Sequence, residues 1–193
     1  MPPSPNDFIT IVSGLPRSGT SMMMQMLDKG GLPALTDEIR KADDDNPQGY
    51  YEFEPVKKTK VDASWLERAA GKVVKMVHVL LLDLPANHSY RVVFMRRNLD
   101  EVVASQNVML QRGGRPTGGL SDERVKSVFE AQLAKVEKYL DEQASFAVLN
   151  VNYNDLLAEP KRQVEAVNAF LGGQLETDAM LAVVDPSLYR QRR

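Results

Sequence analysis

Two short clusters in this sequence combine arginine and hydroxyl side chains at spacings that suit an anion. The first is Gly14-Leu15-Pro16-Arg17-Ser18-Gly19-Thr20-Ser21, placed after the β-branched run Ile9-Thr10-Ile11-Val12. Glycines at 14 and 19 let the backbone turn tightly, so that its N–H groups can close around an anion. A helix starting at the end of the turn adds the positive end of its dipole. The second cluster is Val92-Val93-Phe94-Met95-Arg96-Arg97-Asn98, with Ser105 eight residues beyond Arg97. A guanidinium at a strand end takes a phosphate bidentately, and a hydroxyl two turns into the next helix can donate a further hydrogen bond. A plain glycine turn and a surface ion pair are the alternatives when each cluster is read alone. Together they favour a bipartite anion grip.

The spacing G-x-x-x-x-G-T-S differs in one residue from the triphosphate loop G-x-x-x-x-G-K-[ST]. Thr20 stands where that loop's lysine would reach the β- and γ-phosphates. The cation sits inside the turn instead, at Arg17. Pro16-Arg17-Ser18-Gly19-Thr20-Ser21 resembles the Pro-[Lys/Arg]-Ser-Gly-Thr-[Ser/Thr] motif of sulfotransferases, whose donor is 3′-phosphoadenosine-5′-phosphosulfate (PAPS). Arg97 to Ser105 is similar to the same family's Arg-Asn-x-x-[Asp/Glu]-x-x-x-Ser element. Tyr153-Asn154-Asp155-Leu156 through Glu159-Pro160, with Phe170-Leu171-Gly172 beyond, resembles its Tyr-Glu-Asp-Leu segment. That last stretch reads as a strand-to-helix connection with a structural role.

The resemblance implies a donor site and a reaction. Pro16, Arg17, Ser18, Gly19, Thr20 and Ser21 would hold the 5′-phosphate, and Arg97 with Ser105 the 3′-phosphate. Arg17 would stabilise charge on the bridging oxygen. The family's C-terminal Arg-Lys-Gly element is missing, and Arg190 in the basic tail Tyr189–Arg193 is the candidate replacement; a solvated terminus is the alternative. A sulfuryl group in flight carries less charge than a phosphoryl group, so fixed N–H groups and one or two cations are expected to suffice without a metal. The acceptor, a small molecule or a glycan presenting a hydroxyl or amine, needs a base within hydrogen-bond reach. Family members use histidine or glutamate. Glu52 matches one branch, with Glu54 and His78 as the other candidates. His78 falls one residue later than the family's Lys-Thr-His, which turns it to the other face of a strand. Lys75 is placed to protonate or steady the leaving oxygen. Trp65 or a tyrosine is available to stack on adenine.

Composition narrows the class. With 193 residues, 43% of them hydrophobic, the chain suits one α/β domain over its whole length, with 1–7 and 186–193 as the segments expected to be flexible. A net charge of −2 argues against a general nucleic-acid binder. The absence of cysteine excludes disulfides and thiolate chemistry. No apolar run is long enough to span a membrane, and the Pro-rich start lacks a signal-peptide core, so a cytoplasmic protein is expected. The sequence leaves the oligomeric state open.

The elements that must position these residues follow from periodicity. Strands are expected at 9–13, 71–77, 90–95 and 146–151. Helices are expected after the first turn, through Val56, Val61 and Trp65, after Asn98, over 121–143, at 155–158 and at 161–171, with a short helical turn at 80–84. Asn98 and Glu101 have the spacing of a capping box. Val125, Val128, Phe129, Leu133, Val136 and Leu140 mark one buried face of the long helix, and the methionines at 22–26 read as adaptable core filler. Gly113–Gly119 is either an acceptor lid or a plain connector, and Asp43-Asp44-Asp45 reads as a solvated turn. Strands alternating with helices predict a three-layer parallel sheet, like that of P-loop NTPases, flanked by helices. A sulfotransferase is the function this reading favours. A small P-loop kinase and a non-catalytic binder of adenosine 3′,5′-bisphosphate are its rivals.

Overall fold

The structure is a computed structural model that describes residues 7–37, 49–112, 114 and 119–184. Four strands, β1 (Ile9–Gly14), β2 (Val73–Val77), β3 (Tyr90–Arg96) and β4 (Phe146–Asn152), form one sheet in the order β2-β1-β3-β4. Every pairing is parallel. β1 is flanked on both edges and wholly buried, as its β-branched sequence requires. After β1 the chain goes to one side of it, and after β2 it crosses to the other. That reversal opens a crevice at the carboxyl ends of β1 and β3.

Helices cover both faces. On one side α1 (Thr20–Lys29), α5 (Pro160–Phe170) and the short α6 (Thr177–Leu181) pack Met23, Met24, Met26, Leu27, Val164, Val167 and Met180 against Val12, Val93 and Val151. The methionine stripe is therefore core, as expected. On the other side α3 (Asp122–Glu142) and two short 3₁₀ turns supply Val136, Leu140, Phe53, Val56 and Trp65 against Ile11, Val74, Val92 and Phe94. The single helix expected through Val56 and Trp65 is replaced by 3₁₀ turns at Glu54–Lys58 and Ser64–Arg68. Val61 between them is 84% exposed and contributes nothing to an apolar stripe.

The remaining helices are α2 (Leu99–Arg112) and α4 (Tyr153–Ala158). Asn98 does cap α2, its Oδ1 accepting from the Asp100 N–H at 2.8 Å. The Glu101 carboxylate is turned inward to Arg97. Only Val136 and Leu140 of the six apolar positions on α3 are buried. A helix of 21 residues is about 31 Å long, against about 23 Å for a seven-residue strand. Glu130, Leu133, Ala134 and Glu137 of α3 wall the crevice beside β3. The Asp43–Asp45 turn and most of the Gly113–Gly119 loop lie outside the described residues, as does Arg190.

Candidate active site

The register between β1 and β3 puts Gly14 opposite Met95, so the turn after β1 and the arginines after β3 meet at one corner. The turn is locked by its own chain. Ser18 donates from both its N–H (3.2 Å) and its hydroxyl (2.7 Å) to the Leu15 carbonyl. Arg17 has a left-handed backbone, φ 69°, which costs a non-glycine residue about 1 kcal/mol or more. The glycines on either side are required by contact as well as by φ. A Cβ on Gly14 would lie 2.6 Å from the Met95 carbonyl oxygen. One on Gly19 would lie 2.4 Å from Cδ2 of Tyr153. Gly19 precedes α1 with no side-chain cap, and the N–H groups of the first turn have no intrahelical partner. Thr20 and Ser21 open that turn, while Pro16 is exposed at its tip.

Arg17 is held at both ends. Its Nε donates to Ser105 Oγ at 3.0 Å, and its carbonyl accepts from Arg97 Nη1 at 3.0 Å. Arg97 in turn donates from Nε to Glu101 Oε2 at 2.9 Å, and its guanidinium carbon lies 4.5 Å from the centre of the Tyr153 ring. Asn154 Nδ2 donates to Glu101 Oε1 at 3.2 Å. This ion pair is enclosed, with the Arg97 side chain 8% and the Glu101 side chain 1% exposed. The structure thus brings together Arg17, Arg97 and Ser105, three residues singled out from two distant motifs.

Two members of the corner were not recognised in the sequence. From sequence Glu101 reads as part of a helix cap, although its i,i+4 spacing from Arg97 is an available signal. Tyr153 belongs to a segment read as a structural connection. It follows β4, which pairs with β3 through Arg96 and Asn152, so it emerges beside Arg97. Trp65 lies elsewhere. It is buried in the core edge-on to Phe53 at 6.3 Å, its Nε1 donating to Thr59 at 3.1 Å.

The candidates for acid–base work sit on the β2 side. Lys75 is part-buried and donates to the Tyr50 carbonyl, with its ammonium 6.0 Å from the Tyr50 ring centre. Glu52 follows Tyr51, another residue with a left-handed backbone (φ 52°). The Glu52 carbonyl accepts from Thr36 Oγ1 at 2.9 Å and from the Asp37 N–H at 3.3 Å. Burial, and then the charge of Asp28, raise the pKa of the Tyr51 hydroxyl. Glu54 pairs with Lys57 at the surface. His78 opens the 3₁₀ segment His78–Asp83 and is only 2% exposed, its Nε2 3.0 Å from Gln132 Oε1 on α3. Burial lowers its pKa below 6.5, outweighing the opposing pull of Gln132 and the Gly14 backbone. That favours the neutral imidazole.

Beside the turn, on the α3 side, is a cavity of about 230 Å³ bordered by Leu15, Ser18, Leu99 and Leu133 and by the ion-paired Arg96 and Glu137. It touches both the turn and the strand end that carries Arg97.

The sulfotransferase domain model matches residues 7–192, and the chain belongs to that family. Among solved structures it is similar to the sulfotransferase domain from the curacin biosynthetic pathway. Identity there is 17% and the TM-score 0.57, with 94% of this chain and 79% of that one covered. It is also similar to the sulfotransferase domain from the Synechococcus PCC 7002 olefin synthase. In that case identity is 14% and the TM-score 0.55, with 97% and 81% covered. At these identities the likeness is one of fold. No curated protein matches the chain. Among the described residues no helix is long and apolar enough to cross a membrane.

Proposed function

We propose that the protein transfers a sulfuryl group from PAPS to a hydroxyl or amine of a small-molecule or glycan acceptor. The observation that carries this reading is the joined corner of Arg17, Arg97 and Ser105, built on a glycine turn with no lysine at position 20. When bound, the donor supplies the activated sulfuryl group and a bisphosphate leaving group. The first-turn N–H groups of α1, with Thr20 and Ser21, suit its 5′ side. Arg97 and Ser105 suit its 3′-phosphate, and Arg17 lies between the two. Narrow clearance at Gly14, against the Met95 carbonyl, and at Gly19, against the Tyr153 ring, requires glycine at both positions for the turn to close this tightly.

On the acceptor side, Glu52 takes the proton of the attacking hydroxyl or amine, and Lys75 anchors the Tyr50–Glu52 segment to β2. The metal-free character of the transfer and a cytoplasmic setting belong to the same reading. The test is a calorimetric comparison of adenosine 3′,5′-bisphosphate with adenosine 5′-phosphate, followed by sulfate transfer from PAPS to an acceptor panel. Preference for the bisphosphate together with transfer is expected. Equal affinity for both nucleotides, or Mg²⁺-dependent ATP turnover without response to PAPS, would overturn it. Bisphosphate binding with no transfer to any acceptor would leave a nucleotide binder.

A further inference from the structure

We infer that Glu101 is a built-in counter-ion for Arg97, one that offsets the charge the arginine offers to a phosphate. The inference rests on the bisphosphate reading above only in naming the ligand that shares Arg97 with it. Arg97 is an enclosed cation. An enclosed guanidinium needs a nearby negative charge or it is strongly unfavourable. Glu101 provides that charge from one turn further along α2, at 2.9 Å. It is itself steadied from another element, by Asn154 on α4 at 3.2 Å.

The pair does two things at once. It aims Arg97 so that Nη1 reaches the Arg17 carbonyl at 3.0 Å, which fixes the left-handed turn before any ligand arrives. It also lowers the net positive charge offered to an arriving phosphate, because the carboxylate stays beside the guanidinium after binding. Glu101 is thus a positioning residue that trades ligand affinity for a folded empty site.

Glu101→Gln is the informative change, since glutamine keeps an oxygen for Arg97 Nε and an Asn154 amide flip restores the second hydrogen bond. The ligand-free variant should melt at a lower temperature than the parent protein. Its affinity for adenosine 3′,5′-bisphosphate should nevertheless rise about fivefold to tenfold, the size of one screened unit charge at close range. Affinity for inorganic phosphate should rise as well. Glu101→Asp, which keeps the charge, should bind both probes within about twofold of the parent, as restoring that charge requires. A Glu101→Gln variant that melts lower and binds both probes no tighter would reduce Glu101 to a fold-holding role and overturn the inference. The inorganic phosphate arm judges it independently of the donor. If the parent protein shows no preference for the bisphosphate, the donor assignment fails. Tighter binding of inorganic phosphate by Glu101→Gln would still uphold the counter-ion role.

Discussion

The two sides of the crevice are built differently. At the β1–β3 corner, charged side chains are tied to backbone and to one another, and the ties from Arg17 to Ser105 and from Arg97 to the Arg17 carbonyl span distant parts of the chain. On the β2 side, Lys75 holds a backbone carbonyl, the Glu52 carbonyl is tied to Thr36 and Asp37, and Tyr51 takes a left-handed turn on an otherwise extended segment. One side is a tightly tied frame. The other is a looped approach whose chemistry depends on where an acceptor sits. The contrast suits a protein that grips one fixed ligand part and admits a variable one.

The sharpest way to break the frame is Gly19→Ala. The new Cβ would meet the Tyr153 ring at 2.4 Å while the backbone sits at φ 96°. We expect a stability loss of about 2–4 kcal/mol and bisphosphate binding weakened beyond detection, by thermal melting and calorimetry. Next comes Arg97→Ala, which leaves Glu101 enclosed without its cation. That should cost about 3 kcal/mol of stability and weaken bisphosphate binding far more than binding of adenosine 5′-phosphate. Equal losses for the two nucleotides would remove the 3′-phosphate role.

Glu52→Gln tests the other side. Turnover should fall about a hundredfold with donor affinity unchanged, and intact turnover would move the base elsewhere. Smallest is the effect of His78. Its pKa is lower folded than unfolded, so its contribution to stability is full above pH 6.5 and is lost as pH falls below that value. A stability–pH curve for His78→Gln should show a shallower acid limb than the parent. Superimposable limbs would place the titration on other groups.

The tightly tied side was also the legible side. Gly14, Arg17, Gly19, Arg97 and Ser105 announce themselves by type and spacing, because a turn that exposes N–H groups needs glycine and a phosphate grip needs arginine. The parallel sheet followed from four apolar runs separated by helical stretches. What could not be read was contact across distance. Glu101 looked like a helix cap until Arg97 was seen to lie against it, and Tyr153 looked structural until β4 was placed beside β3. Trp65 drew attention as an aromatic but is core, since nothing local separates a stacking indole from a packed one. The 3₁₀ turns at 54–58 and 64–68 likewise escaped, because Val56 and Trp65 keep an apolar spacing although the chain between them bulges outward at Val61.

The Tyr153 ring against Gly19 carries a consequence for assembly. The turn precedes Arg97 and Tyr153 in the chain, yet both must be present before its surroundings are complete. A nascent chain ending before β4 therefore holds an open, uncovered turn with no aromatic floor. Contacts spanning 80 residues or more close last and slowly. Completion of the corner around the turn is in this way postponed until the fourth strand docks.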